Sequence, residues 1–307
     1  MLFYGERKKG CRFMEVFFHG YRTLIIENDL LRCILLVDKG TDIISFVDKK
    51  SDTDVIWTNP MGLSCMEKRR LAIMDNDCYS DNYLGGFFEI LPNFGLPCKY
   101  HGMTFIQHSE ISHLPFECQV LEDSPQKIVL LFVTRLSKYP FAVRKTLTFT
   151  NGDRTLYFEE EIENLSTEKL PYLWALHPCL GKPFLDENCR FIMPDGTVAN
   201  MPKAGSFKNS FDMHKVTGDG KVTVNNKKSN LNFEIDFDPK IFNHCGLWIS
   251  AENECGHHKF GGAYVASVLP CNFEVMTLSE AAKEKDVPVL DGGKTVKTYY
   301  NIKLTNN

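Results

Sequence analysis

The sequence has few of the features that mark nucleic-acid-binding, secreted or membrane-spanning proteins. No basic block stands out and the formal net charge of the 307 residues is only −4, so the clustered Lys and Arg that phosphate binding needs are missing. The first residues, MLFYGERKKGCRF, show no apolar core or cleavage site of a signal peptide. No stretch approaches the ~20 apolar residues of a membrane span. We therefore expect a cytoplasmic protein that binds neither nucleic acid nor a membrane.

Recognisable metal and nucleophile motifs are also scarce. The 11 cysteines include no C-x-x-C pair, which argues against a disulfide framework or a zinc ribbon and favours buried, reduced thiols. No Gly-rich phosphate loop, G-x-S-x-G elbow or H-E-x-x-H motif is present. One group of potential ligands has a spacing that matches no standard site, so we predict no metal there: His244, Cys245, Cys255, His257 and His258.

Apolar residues alternate with polar ones along most of the chain, which is typical of β-strands. In FAVRKTLTF, residues 141–149, one face carries Phe141, Val143, Leu147 and Phe149. Asn151-Gly152-Asp153 then predicts a turn, and TLYFEEEIENL alternates again, so the two segments are expected to form a hairpin.

Helical pattern is rare. SEAAKEK, starting at Ser279 as a possible N-cap, could form two turns, and residues 65–85 could hold another short helix. More than a dozen strands with so little helix predict an all-β protein, a large antiparallel β-sandwich. We expect one domain over residues 1–307; the alternative is two all-β domains divided near residues 120–130.

A few polar residues stand at unusual places. His177 lies in the apolar run YLWALHPCLG, and Glu274 lies in LPCNFEVMTLSE, which we predict to be an apolar strand. A lone His in such a run is more often a hydrogen-bonded core residue than a catalyst. A buried Glu, in contrast, needs a partner. Further candidates come before Gly or near Pro: His101 in YHGMTF, and Glu89 and Asn93 in GGFFEILPN.

Taken in order, several segments resemble the aldose 1-epimerases, the galactose mutarotase-like family. They are LLVDKGTDIISFVDKKSDTDVIW, GGFFEILPN, the His-Gly at 101–102, the hairpin that leads to the His-Pro of residues 177–178, and FEVMT near the end. The resemblance runs from about Leu24 to the last residue and implies the galactose mutarotase-like supersandwich. Val275 departs from the family, which usually has Pro after its catalytic Glu.

The resemblance implies an isomerase that interconverts the α and β anomers of a hexose or related sugar without a cofactor. Glu274 would be the base that takes the proton of the anomeric hydroxyl, and His177 the acid that protonates the ring oxygen. An unperturbed His titrates near pH 6.5, so it can hold and return a proton. The residues implied to bind the sugar are His101, Trp248, Glu89, Asn93 and Arg70.

Other functions are compatible with the same residues. A non-catalytic carbohydrate-binding β-sandwich would keep the cleft without turnover, and Val275 favours it. A sugar-phosphate epimerase would need a cation in the cleft, for which Arg69, Arg70 and Arg144 are the candidates. A domain of a polysaccharide-processing enzyme is a further alternative. The expected partner is a small-molecule sugar, and the chain is expected to be a monomer or homodimer.

Overall fold

The computed structural model describes residues 9–63, 83–254, 256 and 260–306. Within these ranges nearly all regular structure is β. The strands are β1 Arg12–Phe18, β2 Tyr21–Glu27, β3 Leu31–Leu36, β4 Asp42–Asp48, β5 Thr53–Asp54, β6 Phe87–Ile90, β7 Cys98–Tyr100, β8 Met103–Phe105, β9 Glu117–Asp123, β10 Lys127–Arg135, β11 Phe141–Thr150, β12 Thr155–Asn164, β13 Leu170–Pro171, β14 Ala175–Leu180, β15 Cys189–Ile192, β16 Val198–Asn200, β17 Phe207–Lys215, β18 Lys221–Asn226, β19 Leu231–Phe237, β20 His244–Ala251, β21 Tyr264–Cys271, β22 Val289–Leu290 and β23 Thr295–Asn306.

Two large antiparallel sheets form the molecule, as the alternating sequence pattern predicts. The ten-stranded sheet has the order β1-β2-β3-β4-β6-β14-β21-β20-β17, with β5 paired to β4. The nine-stranded sheet has the order β16-β15-β18-β19-β23-β12-β11-β10-β9. Two short two-stranded sheets, β13-β22 and β7-β8, lie outside them. The all-β sandwich predicted from the sequence is confirmed.

The β11–β12 hairpin follows the predicted alternation. Phe141, Val143, Leu147 and Phe149 are all buried, and the two strands pair through the whole segment, with Phe149 opposite Leu156. The turn contains Gly152 at φ 77°, a left-handed conformation that glycine adopts without strain. Lys145 shares the buried face, which the hydrophobic pattern does not explain.

The α-helix of the described chain is shorter and begins earlier than predicted. It spans Leu278–Ala281, here α1, and Thr277 rather than Ser279 is its N-cap. Thr277 is extended, and its hydroxyl accepts the N–H of Glu280, whose carboxylate accepts the N–H of Thr277 in return. This capping box satisfies two backbone donors, which explains the start of the helix. A short 3₁₀ helix covers Ile111–His113. Of residues 65–85, within which a second short helix is predicted, residues 65–82 lie outside the described ranges and residues 83–85 are not helical.

The main hydrophobic core lies between the two large sheets. On β14 and the residue before it, Trp174, Leu176 and Leu180 point into this core. Ala175 and Cys179, on the opposite face of the same strand, join a second buried cluster that covers the outer face of the ten-stranded sheet. Side chains alternate between faces along a strand, so His177 belongs to that outer face. In the part of the chain that the structure describes, no helix is long and apolar enough to cross a membrane.

Candidate functional site

A cavity of about 400 Å³ opens on the outer face of the ten-stranded sheet. Its floor is formed by neighbouring strands β14, β21, β20 and β17, and its walls come from the loops around residues 83, 94–96, 107–108 and 276. We call it the histidine cavity. It is lined by Tyr83, Phe94, Gly95, Leu96, Gln107, His108, His177, Asn209, Phe211, Trp248, Leu269 and Met276. A largely apolar, concave site with a few convergent polar groups is typical of small-molecule binding.

His177 lies at the inner end of this cavity, with only 4% of its surface exposed. Its ring stacks on Phe88, with centroids 4.4 Å apart and planes 16° from parallel. Its Nδ1 lies 3.2 Å from Ser267 Oγ and 3.5 Å from Cys179 Sγ. The hydroxyl and the thiol can each donate to Nδ1, and in that arrangement Nε2 carries the proton of the neutral ring.

His108 is the second imidazole of the cavity, and sequence reasoning missed it. Its ring centroid is 5.2 Å from that of His177. Nδ1–H donates to the backbone carbonyl of Phe94 at 2.5 Å, so Nε2 is the nitrogen with the lone pair. His108 and Ser109 both have left-handed backbones, at φ 54° and 57°. Nothing in the segment TFIQHSE indicates this unusual conformation, which costs energy outside glycine and is often found at functional sites.

Burial keeps both imidazoles neutral at neutral pH. Desolvation lowers the pKa of His108 to about 4, against the opposing effect of its bond to Phe94. Desolvation also lowers the pKa of His177 well below its usual value, and repulsion from His108 lowers it further. The inner end of the cavity therefore offers an imidazole acceptor, from His108, beside an imidazole donor, from His177.

Aromatic rings form much of the remaining surface. Trp248, one of the predicted sugar-binding residues, lines the cavity from β20, with its ring centroid 6.2 Å from that of His177. The ring of Phe94, which is also near His108, faces Phe211, with centroids 6.3 Å apart. The amides of Gln107 and Asn209 add hydrogen-bonding groups. Aromatic faces with neutral donors and acceptors suit a ligand that has both apolar faces and hydroxyl groups.

Glu274 does not occupy the position expected of a buried carboxylate. Strand β21 ends at Cys271, so the prediction that Glu274 lies in an apolar strand is wrong. The chain leaves the sheet there because Asn272 exchanges hydrogen bonds with the backbone of Trp174, through its side-chain oxygen and its own N–H. The Glu274 side chain is 59% exposed and lies 3.8 Å from His244 Nε2. Among the described residues that line the cavity there is no carboxylate, Lys or Arg.

Two of the predicted sugar-binding residues, Glu89 and Asn93, do not line the histidine cavity. Glu89 on β6 points between the sheets, where it pairs with Lys145 and accepts a hydrogen bond from Tyr300 at 2.8 Å. Strand alternation is the reason, since Phe88 takes the cavity side. Asn93 is fully buried and joins three backbone segments, by donating to the carbonyls of residues 96 and 106 and accepting from the N–H of residue 278.

The other predicted residues lie away from the cavity or outside the described chain. His101 is exposed in the turn between β7 and β8, at φ 48°, with its ring against Tyr100. Arg70, Arg69, Cys255, His257 and His258 are outside the described residues. Within the described ranges no group of three His, Cys, Asp or Glu side chains could hold a metal ion.

Solved structures with the same fold include several mutarotase-like proteins. A candidate aldose 1-epimerase from Klebsiella pneumoniae superposes with a TM-score of 0.81 and 16% identity, covering 97% of this chain and 88% of that one. A galactose mutarotase-like protein from Clostridium acetobutylicum gives 0.69 and 12%, over 97% and 99%. A candidate mutarotase from Salmonella typhimurium gives 0.63 and 10%, over 96% and 94%. The chain thus has the galactose mutarotase-like β-sandwich fold.

Sequence comparison gives a family without an assigned activity. No curated protein matches the sequence. The model of the family described as a domain of unknown function, DUF4432, matches residues 18–215, and the chain belongs to this family. The matched segment contains both histidines of the cavity.

Proposed function

We propose that this DUF4432 protein is an aldose 1-epimerase-like isomerase, which binds an aldose ring in the histidine cavity and interconverts its α and β anomers. The observation that carries the proposal is the pair of imidazoles, 5.2 Å apart, at the buried end of an aromatic-walled cavity. Ring opening needs one group that accepts the proton of the anomeric hydroxyl and another that donates to the ring oxygen. His108 Nε2 and His177 Nε2–H are suited to these two roles.

The step is balanced in protons if one histidine of the pair is an imidazolium and the other is neutral. His177, as imidazolium, donates to the ring oxygen while neutral His108 takes the proton of the anomeric hydroxyl. The C1–O5 bond breaks, the aldehyde forms, and the charge has moved from His177 to His108. Rotation of the aldehyde and closure with the roles reversed give the other anomer. Mutual repulsion, which lowers the pKa of His177, disfavours a second proton on the pair.

This mechanism assigns the base to His108 instead of Glu274. Since the pKa of His108 is about 4 and that of His177 is also lowered, the singly protonated pair is a minor form at neutral pH. We therefore expect turnover to rise as the pH falls from neutrality toward about 4.

The test is the rate of anomer interconversion, followed by optical rotation of freshly dissolved α-D-glucose and α-D-galactose. Wild-type protein is expected to accelerate it, and His177→Asn to lower the turnover by at least ~10²-fold with an unchanged melting temperature. His101→Asn makes the same chemical change at an exposed histidine outside the cavity, and serves as the matched control. Acceleration that survives in His177→Asn would refute the proposed acid.

A carbohydrate-binding protein without turnover is the second candidate. It is favoured by the lack of a carboxylate among the described residues that line the cavity, because neutral imidazoles with lowered pKa values are good hydrogen-bond partners but weak bases. A thermal-shift panel of sugars separates the two. Stabilisation by a sugar whose anomers interconvert no faster with protein would identify binding alone.

A further inference from the structure

We infer that the histidine cavity takes a carbohydrate of at least two linked rings, and that it holds the reducing-end ring at the histidine pair. This inference rests on the proposed function in one respect only, the placing of the anomeric carbon next to His108 and His177. Three features of the cavity support it: its length, a second aromatic surface at its outer end, and the position of that end at a sheet edge.

The cavity crosses four neighbouring strands of the ten-stranded sheet. His177 lies on β14, Leu269 on β21, Trp248 on β20 and Phe211 on β17, in the order in which these strands pair. Adjacent strands are about 4.8 Å apart, so three steps give a floor of about 14 Å. Its volume of about 400 Å³ is in the range of sites that bury drug-sized ligands. A single sugar ring at the inner end would leave the outer part of this floor uncovered.

Phe211 forms a second aromatic surface beside Trp248. The two residues are directly opposite each other in the β17–β20 ladder. The Phe211 ring lies over Gly246, where an added Cβ would stand 2.8 Å from Phe211 Cε2, so the glycine leaves room for the ring on the sheet. Although it is held in this way, Phe211 remains 39% exposed. A fixed and partly exposed aromatic ring is a suitable contact for a second sugar ring.

The two ends of the cavity differ in exposure, and this sets the direction of the ligand. The histidine pair is buried, whereas Asn209 and Phe211 lie at the exposed edge strand β17. A sugar ring whose C1 lies at the histidines can therefore carry the second ring only on another of its carbons, and that second ring extends toward β17. The ligand class is a reducing disaccharide or the reducing end of an oligosaccharide, linked through a hydroxyl other than that on C1 of the inner ring.

The test compares α-D-glucose with maltose, cellobiose and isomaltose, three reducing disaccharides of glucose with different linkages. We expect kcat/KM for at least one disaccharide to exceed that for glucose by about fivefold or more, the factor that one aromatic contact gives. Phe211→Ala should lower this ratio by about the same factor. Phe17→Ala removes a Phe that is 73% exposed on β1, the opposite edge of the same sheet, and should leave the ratio unchanged.

The outcomes separate this inference from the proposed function. Turnover of glucose above that of all three disaccharides, or a ratio that Phe211→Ala does not change, would overturn the two-ring ligand while leaving the isomerase in place. If wild-type protein accelerates neither these sugars nor α-D-galactose, the isomerase fails, and the same comparison is made with dissociation constants from calorimetry. Tighter binding of a disaccharide that depends on Phe211 would then support the inference, and equal or absent binding would overturn it.

Discussion

Two neighbouring residues of β6 face two very different buried regions. Phe88 stacks on His177 in the histidine cavity, where the lining side chains of the described chain carry no full charge at neutral pH. Glu89, the next residue, points between the sheets into a group of ionisable side chains that we call the interior cluster: Glu89, Lys145, Glu160 and Tyr300. The charged region is closed, and the region open to a ligand is neutral.

The interior cluster is built by strand register. Lys145 on β11 is directly opposite Glu160 on β12, and Glu89 reaches Lys145 from the other sheet. Burial and the charge of Glu89 raise the pKa of Glu160 well above its usual value, which favours the protonated form of Glu160. As a carboxylate it would have no hydrogen-bond partner among the described residues, whereas as a neutral acid it can donate to Glu89.

In this protein the buried carboxylate Glu89 does not line the histidine cavity. A charged side chain in the interior requires a partner of opposite charge, and that partner fills the space that a substrate would need. Glu89 meets the requirement through Lys145 and Tyr300. The histidines become neutral instead, which lets them stay buried next to a cavity without a counter-ion.

The largest loss of stability is expected on removal of the Lys145 charge from the interior cluster. Lys145→Met should lower the free energy of unfolding by about 3–5 kcal/mol, because it leaves the Glu89 carboxylate buried without its cation. Denaturant titration measures this loss. Arg144→Met, one residue away on the exposed face, is the control and should change stability by less than ~0.5 kcal/mol. Equal small effects at both positions would mean that the interior cluster contributes little to stability.

A smaller effect is expected from the proton of Glu160. The raised pKa in the folded state means that folding takes up a proton above the unfolded pKa of about 4.3. The stabilisation is complete below that pH and is lost as the pH rises toward the folded pKa, by up to ~1.4 kcal/mol per pH unit.

Glu160→Gln keeps the shape and removes this titration. The variant should therefore gain stability relative to wild type between about pH 5 and about pH 8. Urea unfolding of both proteins at the two pH values gives the comparison. Parallel behaviour of wild type and variant would show that Glu160 is ionised in the folded protein.

The fold could be predicted from the sequence because it depends on alternation that is local and repeated. The β11–β12 hairpin illustrates this, since the buried residues Phe141, Val143, Leu147 and Phe149 can be identified by spacing alone. Spacing alone does not identify Lys145 as inward-facing with buried partners, because Glu89 and Glu160 lie on two other strands. Glu89 also belongs to the other sheet. Burial of a charge depends on contacts that a local pattern does not contain.

The site was predicted only where a motif or an aromatic residue lies on a strand. His177 and Trp248 line the cavity, and their roles stay predictions. His108 was missed because its position depends on a left-handed backbone in a loop. Glu89 and Asn93 lie in a segment that resembles a family motif, although strand alternation and backbone hydrogen bonds turn their side chains away from the cavity. The single domain over residues 1–307 and the cytoplasmic location likewise stay predictions.

The smallest effect is expected at Glu274, the carboxylate that the family resemblance implies as the base. If the singly protonated histidine pair performs the chemistry, Glu274→Gln should change turnover by less than about twofold, since an exposed side chain outside the cavity lining contributes within ~0.5 kcal/mol. The rate of anomer interconversion is measured at several pH values for this variant and for wild type. A loss of ~10²-fold, with a pH profile that no longer rises toward acid, would make the carboxylate the base. The segment after β21 that carries Glu274 would then have to move toward the cavity during turnover. A charged carboxylate, and not only the histidine pair, would then take part in the reaction.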